Sequence, residues 1–183
     1  MYRQLGYHHQ WLHPMYYNWY YNNRSIQDNP YLFNYTNIQN ERNPYNRNIA
    51  LKDYGPNPFV IHIEEAAKQN NNYRTAIWTG KHLQVTLMSI NVGEDIGLEI
   101  HPTLDQFLRI EEGQGLVQMG KSKDRLDFQA NVHENYAIMV PAGTWHNLIN
   151  TGNKPIKLYS IYAPPQHPHG IVQETKPIAM AAE

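Results

Sequence analysis

Cysteine is absent from all 183 residues. That excludes disulfides, thiolate metal sites and cysteine nucleophiles, and leaves the redox compartment open. Long apolar runs are missing as well. None reaches membrane-spanning length, and the opening "MYRQLGYHHQWLHPMYYNWYYNN" lacks the apolar core of a secretion signal. The chain is therefore expected to be soluble and cytoplasmic. Charge of either sign is scarce: charged residues make up 17% and the formal net charge is −1. No global field directs the protein to nucleic acid or an anionic membrane, and neither is expected as a partner.

What is present is unevenly spread. Ten of the fourteen tyrosines lie in the first 54 residues, with ten asparagines and only three acidic residues, Asp28, Glu41 and Asp53. Residues 1–50 form a low-complexity Tyr/Asn/His-rich tail without the sustained apolar period that a fold of its own would need. "NPY" at 29–31, "NPY" at 43–45 and "NPF" at 57–59 recur at fourteen-residue spacing. Asn-Pro favours turns, so this is either a repeated turn with an aromatic anchor or chance in a biased composition. Residues 51–183 have the make-up of a globular domain.

Within that domain, "FVIHI" from Phe59 reads as a short strand and "IEEAAKQN" as a two-turn helix ended by Asn70–Asn72. From Tyr73 strands dominate: "TAIWTG", "HLQVTLMSI", "IGLEIH", "QFLRIEE", "GLVQMG", "RLDFQANV", "YAIMVP", "TWHNLIN" and "IKLYSIYAP". Turn residues separate them, and no β-α alternation appears. The expected class is all-β, a sandwich or barrel, with one short helix.

Parity then orients side chains. Glu99 and His101 share one face of their run, and Leu98 and Ile100 the other. In "DQFLRIEE", Gln106, Leu108 and Ile110 form the better interior face, which turns Asp105 and Arg109 outward. His82, Gln84, Thr86 and Met88 alternate with Leu83, Val85 and Leu87, and the polar row reads as solvent-facing. Tyr159 and Tyr162 fall on opposite faces. Trp145 either walls a cavity or packs. His8, His9, His13, His133, His167 and His169 read as solvated. A buried, unpaired Glu99 costs several kcal/mol or takes its neutral form, and a protonated histidine beside it would satisfy it without a metal.

A second segment, "NYAIMVPAGTWHNLIN", stops a strand at Pro141, turns through Gly143 and resumes at His146. Together the two segments resemble the two motifs of the cupin superfamily. In the first motif a His-x-His pair, a Glu and a Gly are usual; here Glu99-x-His101, Gln106 and Gly113 hold those places. The second, Pro-x-Gly-x-x-His-x-x-x-Asn, is matched by Pro141, Gly143, His146 and Asn150. The resemblance covers about residues 73–165. It implies a double-stranded β-helix, or jelly-roll barrel, with a divalent metal inside one end. The metal positions carry over to Glu99, His101, Gln106 and His146, with departures at the first and third. One carboxylate and two imidazoles remain, the set of the facial triad. Gln106 adds at most a weak carbonyl ligand, or orients a water or substrate. Fe, Mn, Zn and Ni all accept such ligation.

The resemblance implies a metal-dependent enzyme on a small polar substrate, of the dioxygenase or sugar-isomerase kind; similar proteins are likened to mannose-6-phosphate isomerase. No Arg/Lys clamp for a phosphate stands near the motifs. The alternatives are a binding module without catalysis and a structural protein, since the tail resembles in composition the Tyr/Asn/His-rich segments of bacterial spore-coat proteins. Such a tail would serve a coat or assembly partner. Exposed sheet edges suggest a homodimer, with "FVIHI" as a segment for exchange onto the partner.

Overall fold

The computed structural model describes residues 48–181. The Tyr/Asn/His-rich tail, apart from its last three residues, and the two NPY turns lie outside the described residues. The NPF copy lies within them, and its Phe59 ring stacks on Tyr54 at 4.1 Å.

Among the described residues nine strands carry the architecture: β1 (Arg74–Thr79), β2 (Gln84–Ile90), β3 (Asp105–Glu112), β4 (Gln114–Gly120), β5 (Phe128–His133), β6 (Ala137–Val140), β7 (Trp145–Asn150), β8 (Ile156–Ala163) and β9 (Val172–Gln173). They form a six-stranded sheet in the order β6-β3-β8-β2-β1-β9 and a three-stranded sheet in the order β5-β4-β7. Every pairing is antiparallel. The class is the all-β, double-stranded β-helix that the sequence implies.

Helix α1 (Ile63–Gln69) lies where "IEEAAKQN" predicts it. His62 caps it, its Nδ1 accepting from the Glu65 N–H at 3.3 Å, and Asn70 ends it. Its Ala66 and Ala67 pack on Ile77 and Leu87, with Ile61, Ile63, Val85 and Tyr159 around them. A helix thus covers the outer face of β2, and the hydrophobic parity of that strand is satisfied outside the barrel. This corrects the solvent-facing reading of the Gln84 row: Gln84, Thr86 and Met88 are fully buried and point into the barrel.

Two expected strands are not strands. Phe59–His62 leads into α1 without joining a sheet, and Ile61 and Ile63 pack on the Ala66, Ala67, Ile77 and Leu87 cluster. Ile96–His101 makes a single isolated bridge, Glu99 to His146. Gly97 breaks the ladder there by taking φ 81°, a left-handed conformation that glycine adopts without steric cost. Strand β9 and a second short helix, α2 (Lys176–Met180), were not expected.

The register stacks the interior in layers. Gln84, Tyr162, Gln106 and Val140 line up across neighbouring strands; Thr86, Ser160, Leu108 and Ile138 form the next row, and Met88, Leu158 and Ile110 the one after. All of these are buried. The last layer joins Ile90, Val117, Leu148 and Ile156 in the main core. The interior therefore grades from polar at one end to apolar at the other.

Candidate metal centre

Glu99 is held opposite His146 by a reciprocal pair of backbone hydrogen bonds, each N–H donating to the other's carbonyl at 3.0 Å. Directly opposed residues in an antiparallel pair share a face, so both side chains enter the barrel together. His101 follows two residues on. Its carbonyl accepts from the Gly143 N–H at 2.8 Å, and Gly143 sits at φ 75°. The glycine turn between Pro141 and His146 thus ties the second segment to the first. A side-chain-bearing residue would strain that turn.

The result is a compact group. His146 Nε2 lies 3.2 Å from Glu99 Oε1, and His101 Nε2 lies 3.4 Å from the same oxygen. The three donor atoms are within 4.8 Å of one another. His101 and His146 are buried, and the Glu99 side chain is 13% exposed. Burial works to raise the Glu99 carboxyl, but the His101 and His146 imidazoles facing it more than offset this and hold the group down at about 2. Glu99 is a carboxylate at any physiological pH.

The proton arrangement on His146 is informative. Its Nδ1 lies 3.0 Å from the Thr144 carbonyl oxygen, and its Nε2 faces the Glu99 carboxylate. Both neighbours only accept. A neutral imidazole has one N–H and can satisfy one of them. The other contact requires a second positive centre, either the imidazolium proton or a cation set between Nε2 and Oε1. An imidazole that gives Nδ1–H to a backbone carbonyl is also the usual posture of a metal-binding histidine.

The residues fit a metal. Two atoms that each lie about 2.1 Å from one cation are about 3.0 Å apart in octahedral and about 3.4 Å apart in tetrahedral geometry. The two N···O separations, 3.2 and 3.4 Å, fall within that range. His101 Nε2 is moreover buried without a hydrogen-bond partner, because its approach to Glu99 is poorly aligned. A carboxylate oxygen and two imidazole nitrogens on one side leave the other coordination positions to water or substrate.

Gln106, the fourth position, lies on the interior face as predicted. Its Nε2 donates to Ser160 Oγ at 3.1 Å, and its Oε1 is buried without a partner. Asp105 and Arg109 turn outward: Asp105 accepts from the Ala142 N–H, and Arg109 pairs with Glu111. Asn150, although part of the second motif, serves structure. It donates to the Ile90 and Lys154 carbonyls and accepts from the Gly152 N–H, which closes the turn between β7 and β8. Trp145 points away from His146 along β7 and is half-buried.

The sequence reading missed Tyr162 as a neighbour of the site and misplaced His167. The Tyr162 ring meets His101 edge-on at 5.6 Å and His167 edge-on at 5.0 Å. His167 is no solvated loop residue. Its backbone is gripped by the Gln84 amide, which accepts from the His167 N–H and donates to its carbonyl, each at 2.9 Å. Asp53 secures the same loop by accepting from Gly170 N–H, and also takes the Thr79 hydroxyl and the Gly55 N–H. Burial, helped by the Arg74 charge, pushes the His167 imidazole down to about 3, so it is neutral. Burial raises the Tyr162 phenol, which stays protonated. An interior polar row on β2 was the available signal, since Gln84 is the residue that pins the loop.

Among the described residues no helix is long and apolar enough to cross a membrane.

Comparison with known proteins agrees with this architecture. The protein YrkC of Bacillus subtilis (strain 168), itself uncharacterized, is 72% identical over 137 residues, which span 75% of this chain and 74% of that protein. The uncharacterized protein L612 of Acanthamoeba polyphaga mimivirus is 42% identical over 120 residues, 65% of this chain and 73% of its own. The crystal structure of BH2720 from Bacillus halodurans superposes with a TM-score of 0.71 at 71% identity, covering 71% of this chain and 98% of that one. The family profile described as "Cupin domain" matches residues 86–162, a stretch that runs from Thr86 to Tyr162 and contains Glu99, His101 and His146. The chain belongs to the cupin superfamily.

Proposed function

We propose that Glu99, His101 and His146 hold a divalent cation and that the protein is a metal-dependent enzyme acting on a small polar molecule at that site. The observation that carries this is the pair of imidazole nitrogens aimed at one carboxylate oxygen, with His146 already donating its other nitrogen to a carbonyl. A bound divalent metal would act as a Lewis acid on a substrate oxygen. The chain's own residues set the conditions. Glu99 supplies the single negative charge, Thr144 fixes the ring of His146, and the burial of both histidines keeps bulk water from the donor atoms. Gln106 Oε1 faces the same interior and can orient a water or a substrate hydroxyl. Dioxygenase and sugar-isomerase chemistries both suit one carboxylate with two imidazoles, and Fe, Mn, Zn and Ni are all compatible.

Elemental analysis of the purified full chain tests the reading. About one divalent ion per chain is expected, and it should be absent from the His101→Ala/His146→Ala double variant. Stoichiometric metal in that double variant would end the assignment. A separate coat or assembly role rests on the tail's tyrosine density. Deleting residues 1–50 should leave turnover intact if the tail serves only to place the enzyme.

A further inference from the structure

Beyond the three metal-binding side chains, four buried polar atoms in the barrel have no hydrogen-bond partner: Thr86 Oγ1, Gln106 Oε1, Tyr162 OH and His167 Nε2. They are neighbours. Gln106 and Tyr162 oppose each other across β3 and β8, Thr86 opposes Ser160 across β2 and β8, and His167 packs on Tyr162. Ser160 and Thr86 hydroxyls stand close enough to Tyr162 to ease its ionisation slightly, yet neither reaches hydrogen-bonding geometry. An unsatisfied buried polar group costs about 1–3 kcal/mol. Isolated cases occur in any protein, but four in and beside two adjacent layers at one end of the barrel, next to a candidate metal centre, ask for a non-protein partner.

The chemistry of the four narrows that partner. Gln106 has committed its Nε2 to Ser160, so its Oε1 only accepts and must be met by a donor. Thr86 and Tyr162 hydroxyls can give and receive. His167 is held neutral by burial, so it offers one N–H or one lone pair and no charge. The nearby cation, Arg74, is engaged by Gln173 Oε1 at 2.7 Å and by the Tyr73 ring. An anionic oxygen would face the Gln106 carbonyl lone pairs, and an ammonium would find no carboxylate in this set. A hydroxyl fits: it donates to Gln106 and accepts from Tyr162 or Thr86. Val140 beside Gln106, with Leu108 and Ile138 one step along the strands, gives the carbon skeleton an apolar floor.

We infer that Thr86, Gln106, Tyr162 and His167 form a recognition subsite for a small, uncharged, hydroxyl-bearing ligand presented to the metal centre. The inference deepens the metal-dependent reading and rests on it for what happens to the ligand. Binding is therefore measured separately from metal content. The probes are glycerol and dihydroxyacetone, with glycerate and dihydroxyacetone phosphate as their charged counterparts, titrated into the full chain and followed by saturation-transfer NMR. At least one neutral probe should saturate below roughly 100 mM, and its charged counterpart should bind at least about tenfold more weakly. Thr86→Val and Tyr162→Phe should each weaken the neutral probe by about tenfold. Metal content should stay as in the parent, and the thermal midpoint should stay equal or rise, because each change removes an orphaned hydroxyl. If Tyr162→Phe fails to fold, Thr86→Val and His167→Asn carry the same test. Three results overturn the subsite: charged probes that bind as well as neutral ones, neutral binding untouched by the substitutions, or no saturation by either neutral probe. Neutral probes that bind selectively to a parent protein devoid of metal would instead keep the subsite and sink the metal reading.

Discussion

The two ends of the barrel interior are built by the same strands and do different work. Strand β2 runs from Gln84 and Thr86 to Met88 and Ile90, β3 from Gln106 to Leu108 and Ile110, and β8, in reverse, from Ile156 and Leu158 to Ser160 and Tyr162. On β7, His146 gives way to Leu148. The apolar end is a conventional core whose side chains satisfy one another. The polar end holds the triad and most of the barrel's orphaned polar atoms. The apolar core and the candidate site are thus separated along each strand rather than between strands. Functional sites often retain unsatisfied groups that a protein selected for stability alone would lose.

If that division is real, damage at each end has its own signature. The largest effect is expected at the polar end. His101→Ala/His146→Ala should abolish metal retention while circular dichroism and cooperative unfolding persist, because strand pairing and the apolar end close the barrel. Next comes the apolar end: Leu158→Ala, at a fully buried position, should cost about 2–5 kcal/mol in denaturant unfolding and leave metal stoichiometry unchanged. Metal loss in Leu158→Ala, or collapse of the fold in the histidine variant, would blur the division.

The strands themselves were legible because their lengths and turn signals recur, and the triad was legible because a spacing of two along an extended run puts Glu99 and His101 together. His146 followed from the Pro141–Gly143 corner. What escaped the sequence has physical causes. A strand covered on both faces carries no label for inside and outside. Leu87 is buried and Val85 partly buried under α1, so the more apolar face of β2 is the outer one and parity alone turns Gln84 to solvent. His167 escaped for the same reason, since its loop is gripped by that very glutamine. Ile96–His101 read as a strand because its alternation is good, but Gly97 interrupts the ladder and leaves Glu99 in a short bridge beside His146. The site depends on that interruption less than on the reciprocal hydrogen bonds that survive it.

Within the polar end, Glu99 and Gln106 are not equivalent. Glu99 carries the only charge among the proposed ligands, whereas Gln106 offers a carbonyl dipole. Glu99→Gln should weaken metal binding by at least about a hundredfold, beyond the 10–100-fold usual for groups that merely support a ligand. Gln106→Ala should stay within about tenfold, and Gln106→Glu should tighten binding. Competition against a chelator of known affinity ranks the three. Glu99→Gln with parental affinity would leave Glu99 as a structural partner of His146.

The smallest effect separates the ends through pH, with two windows that overlap only between pH 4.5 and 3. In metal-free protein the Glu99 carboxyl, held at about 2 against an ordinary 4.5, contributes stability that is fully present above 4.5 and lost as pH falls toward 2. His167 titrates higher. Its imidazole is held at about 3 against 6.5 when unfolded, so below 6.5 the unfolded chain binds a proton that the folded chain refuses. That stability is complete above 6.5 and is lost as pH falls from 6.5 toward 3. By pH 4.5 the loss should be on the order of 2 kcal/mol. His167→Asn keeps a polar group but cannot take up the proton. Its denaturant midpoint should therefore fall less steeply than that of the parent between pH 6.5 and 4.5, with the two curves parallel above pH 7. Parallel curves throughout would mean that His167 meets water in solution, and that its grip by Gln84 does not carry the ring into the barrel.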